Sequence, residues 1–87
     1  MARVRIYSTP TCGYCFMAKR LLKSMDIAYE EINVAGDADA RQWLIGTTGQ
    51  RTVPQIFVDD ESIGGYRELT GLARAGTLDA LTPQSEG

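Results

Sequence analysis

T-P-T-C-G-Y-C-F-M-A-K-R-L-L-K, residues 9–23, holds the only two cysteines of the chain, Cys12 and Cys15, with two residues between them. Apolar positions follow at Ala18, Leu21, Leu22 and Met25, the spacing of a helix with one buried face. A β-rich run, Val4 to Tyr7, comes just before. The pair therefore sits at a strand-to-helix junction, with Cys12 at or beside the helix N-terminus. First-turn N–H groups have no partners within a helix, and the positive end of its dipole points at whatever stands there. A sulfur in that place is stabilised as a thiolate and becomes a nucleophile at neutral pH. The stretch reads as a redox site.

Working outward, Arg3 to Ser8 forms a strand with Val4 and Ile6 on one face and Arg3, Arg5 and Tyr7 on the other. Thr9-Pro10-Thr11 is a short loop that stops it. The first helix runs from about Gly13 to Met25, with Lys19, Arg20 and Lys23 on its wet side. Ile27 to Val34 is a second strand of imperfect alternation, which makes a parallel β-α-β start. Gly36-Asp37 caps a second helix, Asp39 to about Gly46, whose Ala40, Trp43 and Leu44 form an apolar stripe with Trp43 as a core anchor. A loop, residues 46–51, leads to Thr52-Val53-Pro54. Gln55 to Val58 is a third strand, Asp59-Asp60-Glu61 a turn, and Ser62-Ile63-Gly64 a fourth strand antiparallel to the third. Gly64-Gly65 starts a last helix, Tyr66 to about Ala75, and Leu78 and Leu81 add one more docked turn. Residues 82–87 carry too little apolar surface to order themselves. The expected organisation is one domain over residues 1–81 with a disordered tail, 82–87.

Bulk properties bound the partners. Eighty-seven residues suit one modest core. Nine basic and eleven acidic residues leave a net charge of -2, so nothing points to nucleic acid or an anionic membrane. No apolar run approaches the ~20 residues of a membrane span. The N-terminus enters a strand pattern without a signal-peptide core, and two cysteines are too few for a secreted disulfide scaffold. A cytoplasmic location is expected.

The order β-α-β-α-β-β-α with C-x-x-C after the first strand is the thioredoxin-like arrangement, an α/β fold with a four-stranded mixed sheet and three main helices. Within it, T-C-G-Y-C-F-M-A-K (11–19), T-V-P-Q-I-F-V (52–58) and I-G-G-Y (63–66) resemble the glutaredoxins in order and spacing over nearly the whole chain. The resemblance implies that Cys12 attacks disulfides and Cys15 resolves the mixed disulfide. It also implies a cis Pro54, a Val53 backbone that pairs with glutathione, and a Gly64-Gly65 pair that holds the γ-glutamyl end. Tyr14, Thr52, Val53, Pro54, Gly65 and Tyr66 are then the glutathione-contacting residues. Glutathione is the expected reductant, no tightly bound cofactor or metal is expected, and the partners are disulfide-containing or glutathionylated proteins met by a monomer.

Three positions depart from the family pattern: Thr9 stands where a lysine is common, Gly13 where the motif has proline, and Arg67 where an acidic or small hydroxylated residue is usual. With no histidine in the chain to act as base, activation of Cys12 falls to helix N–H groups, the dipole and Lys19 if it reaches back. Pro54 also suits a plain strand start, Gly64-Gly65 a plain hairpin exit, and Gln50 and Arg51 either a solvated loop or a glycyl-carboxylate contact. Two other functions stay open. Gly13 is compatible with a [2Fe–2S] cluster bridged between two subunits, since one chain supplies only two of four ligands. A glutaredoxin-like electron donor fed by a thioredoxin-type reductase is the other.

Overall fold

The computed structural model describes residues 3–76 and Leu78. The elements run β1 (Val4–Ser8), α1 (Gly13–Ser24), β2 (Glu30–Asn33), α2 (Ala38–Thr48), β3 (Gln55–Val58), β4 (Glu61–Gly64) and α3 (Tyr66–Arg74). The strands form one mixed sheet in the order β2-β1-β3-β4. β1 pairs parallel with β2, Tyr7 opposite Ile32, and antiparallel with β3, Ile6 opposite Ile56. β3 and β4 make the antiparallel hairpin expected from their tight connection, with a two-residue turn in which Asp59 takes φ 55°.

The alternation of β1 and β3 divides the core. Val4, Ile6 and Ile56 face Ala18, Leu22, Leu69 and Leu78, so α1 and α3 cover one side of the sheet. Tyr7 and Phe57 face Leu44 and Val34, so α2 covers the other. Both central strands are buried on both faces, which explains why Q-I-F-V reads as a continuous run with every residue but Val58 fully buried. No helix among the described residues is long and apolar enough to cross a membrane.

Boundaries shift where local chemistry overrides pattern. Ile27 is buried, yet its N–H closes the end of α1 on the Leu22 carbonyl at 2.9 Å, so the expected strand over 27–34 shortens to Glu30–Asn33 at the sheet edge. The second helix continues through Gly46, expected as its end, to Thr48. It stops where Gly49 adopts the left-handed φ of 74° and sends its N–H to the Ile45 carbonyl. Its start matches expectation: Asp37 caps it, accepting the Ala40 N–H at 3.0 Å.

Trp43 corrects the sequence reading more plainly. It is 47% exposed, not a core anchor. Leu44 is the buried residue of that helix, while the indole leans on Tyr7 and Phe57 from the solvent side, with ring centroids 5.6 and 5.8 Å away. The T-shaped Tyr7–Phe57 pair already fills the space beneath α2. Leu81 and the tail over 82–87 lie outside the described residues, as does the limit of the domain at residue 81.

Candidate active site

The loop over residues 9–12 ends with Cys12 as the N-cap of α1, at φ -93° and ψ 114°. Ser, Thr, Asp or Asn usually fills that role, offering an oxygen to a first-turn N–H. Here the acceptor is sulfur. Cys12 Sγ lies 3.2 Å from the Cys15 backbone nitrogen, and no acidic residue stands in the first turn to oppose negative charge there. On its other side the Cys12 thiol donates to the Val53 carbonyl at 3.5 Å.

Cys15 sits one turn deeper and is 1% exposed, against an intermediate exposure for Cys12. Burial, reinforced by the hydrogen bond with Cys12, pushes its thiol up to about 12. The Thr9 backbone and the charge of Lys19 pull the other way. The two sulfurs are thus unequal: Cys12 is the more accessible, at the helix end, and Cys15 is buried behind it.

Lys19 does not reach back to Cys12. Its ammonium donates to Glu31 Oε2 at 2.8 Å, the same oxygen that accepts the buried Ser8 hydroxyl at 2.8 Å. Glu31 raises the Lys19 pKa, while Lys19 and then Ser8 hold the Glu31 carboxyl below its usual range. The pull of β2 on this side chain explains the correction: Lys19 stands i+4 from Cys15 on α1, and its field is felt at Cys15.

A groove of about 650 Å³ opens beside the cysteines. Tyr14, Thr52, Val53, Pro54, Gly65 and Tyr66 all line it, so α1, the residue 50–54 loop and the start of α3 bring the six expected ligand residues together. Tyr14 and Tyr66 form one wall with ring centroids 6.0 Å apart. The Val53–Pro54 bond is cis, as the resemblance implied. Gly65 packs closely on the loop: a Cβ there would stand 3.2 Å from the Pro54 carbonyl oxygen, a tight contact that a small displacement would have to relieve. Gly64 takes φ 101°, and a Cβ on it would meet the Glu68 side chain at 2.8 Å.

Several contributors escaped the sequence reading. Glu68 lines the groove and accepts the Gly65 N–H at 2.8 Å, the glutamate half of a capping box; glycine followed by glutamate three residues on was the available signal. Gln55 is 1% exposed and donates through Nε2 to Gln50 Oε1 and to the Thr52 carbonyl, at 3.0 and 2.9 Å. It ties down the loop that carries Thr52, and a lone polar residue within an apolar strand was its signal. Gln50 accepts from Gln55 through Oε1 and also lines the groove, together with Arg51 and Arg67. Among the described residues no group of three or more His, Cys, Asp and Glu side chains is arranged to hold a metal ion, so the cluster reading still requires ligands from outside the chain.

A β-α-β-α-β-β-α sheet domain with an accessible N-cap cysteine, a buried partner sulfur and a cis-proline beside them defines a thioredoxin-like thiol–disulfide oxidoreductase. The glutaredoxin family model matches residues 4–63. Glutaredoxin 3 of Escherichia coli (strain K12) is 44% identical over 81 residues, covering 93% of this chain and 98% of its own length. Among solved structures, the buckwheat glutaredoxin in complex with glutathione superposes with a TM-score of 0.85 at 30% identity, covering 93% of this chain and 76% of that one. Glutaredoxin from Brucella melitensis gives a TM-score of 0.84 at 33% identity, with 100% and 95% covered. The chain belongs to the glutaredoxin family.

Proposed function

We propose that this oxidoreductase reduces protein–glutathione mixed disulfides and protein disulfides, with glutathione as its reductant. The observation that carries the reading is the placement of Cys12 Sγ, 3.5 Å from the Val53 carbonyl on the wall of the groove. A disulfide sulfur presented to Cys12 leaves its tripeptide half free to run along the Val53 backbone as an added extended segment. The solved glutathione complex of the buckwheat relative supports a ligand of this kind.

The chemistry follows from the unequal sulfurs. The Cys12 thiolate attacks the glutathionyl sulfur, a Cys12–glutathione disulfide forms, and the protein leaves as a thiolate that takes a proton from water. A glutathione thiolate then attacks the glutathionyl sulfur of that adduct, giving glutathione disulfide and restoring the Cys12 thiolate. With a protein disulfide, the Cys12 thiolate attacks one sulfur and the other leaves as a thiolate; Cys15 then gives its proton to water or to that thiolate, attacks Cys12 Sγ and expels the second protein thiolate. A glutathione thiolate then opens the Cys12–Cys15 disulfide at Cys12, releasing Cys15 as a thiolate that takes a proton from water. A second glutathione thiolate removes the glutathionyl group from Cys12 as glutathione disulfide. A reducing compartment such as the cytoplasm suits this cycle.

The test is turnover of a glutathionylated peptide with glutathione. Wild type and Cys15→Ser turn over and Cys12→Ser does not; a wild type inert with glutathione yet readily reduced by a thioredoxin-type reductase overturns glutathione dependence.

A further inference from the structure

We propose that the flank of α1 opposite the glutathione groove is a docking strip for an acidic segment of a protein substrate, entered from the disulfide at Cys12. The inference rests on Cys12 being the attacking sulfur. Along α1, Cys12, Phe16, Lys19, Arg20 and Lys23 recur at intervals of three and four and so share one side of the helix. Met17 and Leu21 lie on the other flank, towards Tyr66, with Tyr14 stacked near the same ring, and Arg20 stands on the ridge between, bordering the hollow on either side. The helix end thus separates two binding regions, and a mixed disulfide has two halves to place.

The strip is a formed hollow of about 410 Å³ between α1 and the start of β2, lined by Phe16, Lys19, Arg20, Lys23, Tyr29 and Glu31. Its charge runs against that of the chain. Three cations face one carboxylate, whereas the whole chain carries -2. Glu31 neutralises Lys19 at 2.8 Å, and among the described residues neither Arg20 nor Lys23 makes an ion pair. Both are exposed, and Phe16 beside them is 61% exposed. An exposed phenyl ring followed by two unpaired cations fits a peptide with an apolar residue and then acids; a basic segment would be repelled.

Distance fixes the spacing. From Cys12 to Lys23 α1 rises about 16 Å at ~1.5 Å per residue. An extended peptide covers that length in roughly five residues. The apolar side chain then falls about two residues from the substrate cysteine, against Phe16, and the acids roughly three to five residues away, against Arg20 and Lys23, counted in either chain direction. Asp26, in the adjoining hollow past Lys23, sets the outer end.

The experiment compares glutathionylated peptides that differ only at positions three to five from the cysteine, carrying glutamates, glutamines or lysines on either side. Wild type and Arg20→Glu/Lys23→Glu are assayed, with bis(2-hydroxyethyl) disulfide as a small substrate that does not reach the strip. Wild type should favour the glutamate peptide over the lysine peptide about tenfold in kcat/KM at low salt, with the preference shrinking as salt is raised. The double variant should reverse the order while keeping its rate on the small disulfide within about twofold. Equal rates for all peptides in wild type, or a preference unchanged in the variant, overturns the docking strip and leaves the oxidoreductase reading intact. A wild type that reduces neither the peptides nor the small disulfide overturns that reading itself and the strip with it.

Discussion

Cys12 Sγ accepts the backbone N–H of Cys15 at 3.2 Å, so the amide of the buried cysteine supports the sulfur that its side chain attacks in the proposed cycle. One helical turn places both groups, and burial holds the Cys15 thiol up at about 12. In the proposed cycle this inequality of the two sulfurs sets the order of events: the entering disulfide meets Cys12, and Cys15 acts only once the first exchange has been made.

Alkylation should follow the same order. A limiting dose of iodoacetamide at neutral pH modifies Cys12 and spares Cys15, read by peptide mass mapping, because only the thiolate reacts and Cys15 is both buried and protonated. Modification of Cys15 first contradicts the assignment.

Cys15 also makes stability depend on alkaline pH. Its thiol rises from an ordinary value of 9.0 to about 12 on folding, so between those values the unfolded chain has released a proton that the folded chain keeps. Stability is full below about pH 9 and falls as pH climbs towards 12. Urea midpoints measured from pH 7 upward should drop more steeply for wild type than for Cys15→Ala above pH 9. Parallel curves contradict the burial account.

Glu31 gives the opposite limb. Lys19 first, then Ser8, depress its folded value, so its contribution is present above the ordinary carboxyl range and is lost as pH falls through the depressed one. Glu31→Gln should flatten the acid limb of stability below about pH 4.5, the ordinary value. The pair is partly exposed, and the loss at neutral pH should stay below about 1 kcal/mol.

The glycine pair separates stability from binding. Gly65→Ala brings a methyl within 3.2 Å of the Pro54 carbonyl oxygen at the groove wall, and should raise KM for a glutathionylated peptide several-fold with little change in kcat. Gly64→Ala forces an alanine into φ 101° against Glu68 and should cost roughly 1–3 kcal/mol in unfolding free energy. A Gly65→Ala enzyme with unchanged KM places the ligand elsewhere.

Much of this was legible in the residues. C-x-x-C between a β run and a 3.6-periodic run located the nucleophile, and Q-I-F-V located the central strand. The misses have a common cause. Trp43 and Lys19 are long side chains whose partners, Tyr7 with Phe57 and Glu31, lie on distant segments that a local pattern cannot pair. Helix α2 outran its predicted end because Gly46 is tolerated inside a helix while Gly49 takes the left-handed turn that ends one. Glu68 was hidden for a related reason, since a cap on Gly65 becomes a groove residue only when Pro54 is folded beside it.

In the proposed cycle Cys12 takes the glutathionyl group, and Cys15 is not needed for that step. Intact-protein mass spectrometry of Cys15→Ser and Cys12→Ser after incubation with glutathione disulfide tests it most directly. A single glutathionyl adduct, located on Cys12 in Cys15→Ser and absent from Cys12→Ser, is the predicted result. An adduct on Cys15 of Cys12→Ser formed as fast as the one on Cys12 would contradict it.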